Sequence, residues 1–224
     1  MDYSLEWLVS KYSAQQDPAK AQEMAAYMQN QAPFLGIAKP LRNQIELPFI
    51  KEWSKLPLEQ IMAIAADLVA LNYREYLYTA QQLVLKNYKK LQVPEIKRLL
   101  EFAQVNPWWD NIDGWVMVIR RWSARDLTRA AWLVKSYASD ENMWLRRMSI
   151  ICQINHKATE YDEQALFAAI TANLWDKEFF IQKAIGWALR DYSEKQPQTV
   201  LKFVEKHRDV LSKLAIREAT RKIN

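Results

Sequence analysis

The chain has 224 residues, half of them apolar and a quarter charged, which excludes an intrinsically disordered protein and is enough for one sizeable core. A net charge of +5 and an isoelectric point near 9.1 point weakly to an anionic partner. Cys152 is the only cysteine, so no internal disulfide can form and a reducing compartment fits. The first twelve residues carry Asp2, Glu6 and Lys11 and do not read as a signal peptide, and no apolar run approaches the ~18 residues of a membrane span. A cytoplasmic protein with no membrane partner is expected.

Only Gly36, Gly114 and Gly186 are glycine, too few for a sheet protein rich in tight turns, whereas Leu, Ala, Lys, Glu and Gln are abundant and favour helix. Ser4 to Ser13 has the first helical pattern. Asp17-Pro18 then supplies an N-cap followed by proline at the first helical position, which predicts a helix to about Gln31. Phe34-Leu35-Gly36 interrupts the pattern and Pro40 opens the next helix. Pro57, Pro94 and Pro197 stand near helix starts, where a missing N–H costs little, whereas Pro48 falls inside an apolar stretch and predicts a kink or an end. The whole pattern predicts roughly twelve or thirteen helices and no strand.

Tyr73, Trp109, Trp144 and Phe180 lie 36, 35 and 36 residues apart, each near the start of a helix that goes on to carry Lys or Arg. A second amphipathic segment follows between them, as at Ala124 to Tyr137 and Gln164 to Trp175. Two helices per repeat of about 36 residues is the signature of an α-solenoid, so the expected fold is all-α, one continuous domain over 1–224, with one helix of each pair on a concave basic face.

Several chemistries have no support. His156 and His207 are the only histidines, no Cys/His set has zinc spacing, and Walker A, GxGxxG and GxSxG motifs are missing. Cys152 sits in the apolar run Met148 to Ile154 and reads as a core thiol. No metal or cofactor is expected, and any catalysis falls to carboxylates, aromatics and cations.

Three segments could carry it. In Asn106-Pro-Trp-Trp-Asp-Asn-Ile-Asp-Gly-Trp115, Trp109 and Asp113 are four apart and share a helix face. The same residues also fit a structural role, with Asp110 as N-cap, Asp113 completing a capping-type pattern and the tryptophans in the core; on the residues alone that role ranks ahead. In Lys177 to Arg190, Phe180, Lys183, Trp187 and Arg190 form a stripe of aromatics interleaved with cations, which suits a nucleic-acid face better than a core. Gly186 beside Trp187 leaves room for another helix or for a sugar-phosphate backbone. In Asn142 to Arg147, Trp144 and Arg147 share a face, and the arginine suits either a phosphate or a surface ion pair.

WWDNIDGW, WLRR, KEFFIQKAIGWALRDY and PAKAQEMAAYMQNQAPFLGIAKPLR resemble the AlkD family of DNA glycosylases, and the similarity runs over nearly the whole chain. The resemblance implies a HEAT-like repeat fold that removes cationic N3- or N7-alkylated purines from duplex DNA without flipping the base. It implies a catalytic trio of Trp109, Asp113 and Trp187, an arginine, Arg147, at the DNA backbone, and Tyr27 as an aromatic near the DNA. With Phe180, Lys183 and Arg190 from the stripe, these make the expected DNA contacts. This chain has Ala38 after the Leu-Gly-Ile turn, where the family pattern is polar. A monomer is expected. Two other readings are a non-enzymatic HEAT-repeat protein that binds damaged or branched DNA, and a protein-binding scaffold.

Overall fold

The computed structural model describes residues 3–223. Among them the chain forms thirteen α-helices and no strand: α1 (Leu5–Ser13), α2 (Pro18–Tyr27), α3 (Lys39–Trp53), α4 (Leu58–Ala70), α5 (Arg74–Lys86), α6 (Val93–Ala103), α7 (Trp109–Ser123), α8 (Leu127–Tyr137), α9 (Met143–Ile151), α10 (Glu163–Thr171), α11 (Phe179–Ser193), α12 (Pro197–Lys206) and α13 (Lys213–Thr220). Short 3-10 turns occupy Tyr88–Lys90 and Ala158–Glu160.

Side-chain caps set many of the starts. Ser4, Asp17, Asp126, Asn142, Asp162 and Ser212 each accept a hydrogen bond from a backbone N–H of the first turn that follows. The expected all-helical count holds, with local corrections. α2 ends at Tyr27 rather than near Gln31, because Gln29 and Asn30 turn into the left-handed region with φ of 54° and 56°. α3 runs through Pro48 to Trp53 rather than ending there. Pro48 and Gln44, whose carbonyl loses its intrahelical donor, are both exposed, so water can satisfy that carbonyl.

The repeat is visible in the element order. Helices α3, α5, α7, α9, α11 and α13 begin at residues 39, 74, 109, 143, 179 and 213, a period of 34 to 36 residues. Tyr73 is the N-cap of α5, Trp109 the first residue of α7, and Trp144 and Phe180 the second residues of α9 and α11. The chain forms two compact units, residues 1–118 and 119–224, divided within α7.

In the first unit Leu8, Ile37, Phe49, Ile61, Leu68 and Leu83 are buried around a polar cluster. The Thr79 hydroxyl donates to Glu46 at 2.8 Å, and the Tyr12 hydroxyl lies 3.2 Å from Glu46 and 2.7 Å from Thr79. Burial pushes the Glu46 carboxyl above the usual carboxylate range, although Arg42, 3.5 Å away, pulls it back. Glu75 is also buried, and its carboxylate accepts from the backbone N–H groups of Leu35, Gly36 and Ile37 at 2.9, 3.0 and 3.1 Å. That bond set holds the link between α2 and α3 against α5. Gly36 is required there: its φ is +88°, and a Cβ would lie 2.1 Å from the Asp17 carbonyl oxygen.

In the second unit Trp122, Leu133, Met148, Ile151, Ile185, Leu189 and Val200 form the core. α11 packs most extensively on α13. Gly186 makes this possible, since a Cβ there would stand 2.7 Å from Glu218 Cβ and 3.2 Å from Ala215 Cα. Of the two options read for Gly186, the neighbour is a helix.

Glu75→Gln sets an amide NH2 against backbone donors in a site closed to water. We expect a loss of about 1–3 kcal/mol of stability, read by urea denaturation.

Candidate active site and nucleic-acid interface

The N-terminal turn of α7 is locked onto α5 through polar side chains. Asp110 accepts from Arg74 Nη2 at 3.1 Å and from the Tyr78 hydroxyl at 2.5 Å, and Arg74 Nε lies 2.9 Å from it in the same ion pair. Arg74, 1% exposed, also donates to the Asn106 carbonyl at 2.8 Å. Burial and the neighbouring Asp110 push the Tyr78 phenol upward, so it stays a donor. Gln81 Nε2 donates to the carbonyl and to Oδ1 of Asn111, and Asn111 Nδ2 donates to the carbonyls of Ala103 and Val105. Gly114 lies against the same neighbour: a Cβ would fall 2.1 Å from Gln81 Oε1.

Asp110 is therefore the second residue of the helix and a partner of Arg74, not an N-cap. The buried bonding turns Asp110, Asn111 and Gly114 toward α5. Trp109, Asp113 and Met117, spaced four apart, then run along an accessible side, half-buried at the first two and exposed at the third. The aromatic and the carboxylate singled out in the sequence share this edge of the first unit.

In the second unit the stripe on α11 is likewise an edge, not core. Ile181, Ala184, Ile185, Ala188 and Leu189 are buried, whereas Phe180, Lys183, Trp187 and Arg190 are half-buried. Phe180 is held from α9: its ring lies 4.9 Å from that of Trp144, and its carbonyl accepts from Arg147 Nη1 at 2.9 Å. Arg147 is only 3% exposed, and its guanidinium lies 5.9 Å from the Phe180 ring centre. Its bond to Phe180 seats the first turn of α11, and any phosphate has to share the guanidinium with that bond.

Lys183 and Arg190 are both paired with Glu218 of α13, the lysine at 3.1 Å. Sequence reasoning missed this carboxylate. Its signal was there, since Lys183 and Glu218 are 35 residues apart, one repeat. Tyr27, the last residue of α2, is 74% exposed. Ala38 is the N-cap of α3 and makes no side-chain cap bond.

The histidines take structural places. His156 is buried, with Nδ1 3.0 Å from the Glu160 carbonyl and Nε2 2.8 Å from the Arg120 carbonyl, and burial draws its pKa down. His207 lies at the C-cap of α12, its ring 4.5 Å from that of Phe203. Among the described residues no group of three or more His, Cys, Asp or Glu side chains could hold a metal ion, and no helix is long and apolar enough to cross a membrane.

A family model described as DNA alkylation repair enzyme matches residues 8–223. Among solved structures, a predicted DNA alkylation repair enzyme from Enterococcus faecalis is similar at 33% identity with a TM-score of 0.87, over 93% of this chain and 96% of that one. Comparison with curated proteins gave no match.

Cys152 is buried, its thiol donates to the Ser149 carbonyl at 3.1 Å, and burial pushes the thiol pKa up to about 12. With so little thiolate at neutral pH, we expect Cys152 to resist an aromatic disulfide reagent in the native protein and to react at once in denaturant. Fast reaction in the native state would show the thiol to be accessible and its burial here incorrect.

Proposed function

The chain belongs to the DNA alkylation repair enzyme family, and on that footing we propose that it is a glycosylase that hydrolyses the N-glycosidic bond of N3- or N7-alkylated purines in duplex DNA. The observation that carries the reading is the pair of accessible helix edges: Trp109 with Asp113 on α7, and Trp187 between Lys183 and Arg190 on α11. The first edge joins an aromatic to the negative charge that a developing oxocarbenium ion requires, and the second joins one to the positive charge that a phosphate requires.

An alkylated purine of this kind is cationic and leaves as a neutral molecule, so no general acid has to protonate it. This agrees with two histidines that both serve the fold. The burden falls on the sugar, which gains oxocarbenium-like positive charge as the bond breaks. Asp113 supplies the opposing carboxylate, which stabilises the transition state more than the ground state, and it orients the attacking water. Trp109 and Trp187 pack on the deoxyribose and offer electron-rich faces to the growing charge. Lys183 and Arg190 engage phosphates, Arg147 keeps Phe180 and the first turn of α11 in place beside the backbone, and Tyr27 contacts the duplex near the N-terminal end.

The resemblance to the AlkD family favours attack on a lesion that stays stacked rather than one drawn into a pocket. Selection then rests on the charge of the base and the lability of its bond. Such an enzyme acts as a monomer on double-stranded DNA.

The test is release of 7-methylguanine from methylated duplex by wild type and by Asp113→Asn. We expect the variant to bind DNA like wild type but to release the base about 10²–10³ times more slowly. Neither protein should release uracil, a neutral base. If wild type binds duplex in a salt-dependent way yet frees no alkylated purine, the protein is a DNA-binding relative without catalysis.

A further inference from the structure

One carboxylate deep in the second unit neutralises both cations of the α11 stripe. Glu218 is 7% exposed, and each of its oxygens takes a different partner: Oε1 takes Lys183 Nζ at 3.1 Å, and Oε2 takes Arg190 Nη1. The two cations flank Trp187, one turn before it and one turn after. Both remain partly open, with side chains 44% and 22% exposed. Those cations pull the Glu218 carboxyl below its usual range, Lys183 most strongly, so it carries its charge at neutral pH. The absent side chain at Gly186 lets α13 approach closely enough for Glu218 to reach both groups.

A carboxylate that accepts from an ammonium and a guanidinium presents the same charge and acceptor geometry as a phosphate diester between them. We propose that Glu218 is an internal counter-anion, a specificity-determining residue that withholds Lys183 and Arg190 from the phosphates of undamaged duplex. This rests on the DNA-binding part of the reading above. A backbone that merely touches the face gains little by displacing an ion pair already made on both sides of the carboxylate. Only a complex seated fully on the Trp187 edge brings enough contact to open the pair and transfer both cations to the DNA. The protein thus avoids being held by the large excess of undamaged sites.

The test is the salt dependence of binding to a short undamaged duplex by Glu218→Gln, with Glu205→Gln as a control of equal charge change at the exposed Glu205–Arg208 pair. In Glu218→Gln we expect the slope of log K against log salt to steepen by about one to two. This widens the ratio of affinities at 50 and 200 mM salt by roughly three- to fourfold per phosphate gained. The control should change the slope by much less, and adding Lys183→Gln to Glu218→Gln should cancel part of the gain. An unchanged slope in Glu218→Gln, or an equal gain in the control, overturns the proposal.

Lys183→Gln alone gives a second measurement, which serves if Glu218→Gln melts below the assay temperature. With its lysine already neutralised, wild type should share the slope of this variant; a slope shallower by about one, the value for a lysine seated on a phosphate, overturns the proposal. If wild type shows no salt-dependent affinity for duplex at all, the DNA-binding reading itself falls. That result is distinct from wild type binding normally while Glu218→Gln behaves like it.

Discussion

Side chains that reach about one repeat along the chain to a buried or half-buried polar partner organise both units. Arg74 meets Asp110, Thr79 meets Glu46, Arg146 meets Asp176 at 2.8 Å, and Lys183 meets Glu218. These pairs are 30 to 36 residues apart, close to the 34- to 36-residue period of the helix pairs. An amphipathic helix turns its apolar stripe inward, which sets its rotation coarsely. A buried charge has a strong preference, because leaving it unpaired away from water costs several kcal/mol. These contacts therefore fix which face each successive helix turns inward.

The candidate site depends on that constraint. Asp110 is one residue from Trp109 and three from Asp113. Once Arg74 and Tyr78 hold it, the rotation of α7 is set, and the edge with Trp109 and Asp113 stays accessible. Arg147 and Trp144 do the same from α9 for the first turn of α11, and the Gly186 contact with α13 does it for the middle of that helix. A site held this way loses little entropy on binding, since its side chains stand on helices whose backbones are already ordered. The charge of the edge is then set by Glu218 as much as by the cations themselves.

Much of this was legible in the sequence. The period of Tyr73, Trp109, Trp144 and Phe180 located the repeat, and Ser4 and Asp17-Pro18 marked helix starts that the structure contains. The aromatic-cation stripe on α11 read as ill suited to core, and its four residues are half-buried. The misreadings share a cause. Asp110 looked like a cap because an acidic residue at a helix start satisfies local donors, but a buried arginine 36 residues earlier is the stronger claimant. Pro48 read as a kink or an end because its cost is local, and the helix does not end there because exposure to water at that turn lowers the cost.

What the sequence determined by itself was the all-helical class, the helix-pair period and the residue types at the two edges, which follow from local propensity, spacing and side-chain chemistry; the family came from resemblance alone. What only the tertiary structure decided was pairing and exposure: that Asp110 belongs to Arg74, that Arg147 serves the carbonyl of Phe180, and that Glu218 neutralises Lys183 and Arg190. The reason is physical. A charged side chain chooses its partner by distance and dielectric, and both are set by the packing of residues a full repeat away, which no local pattern encodes.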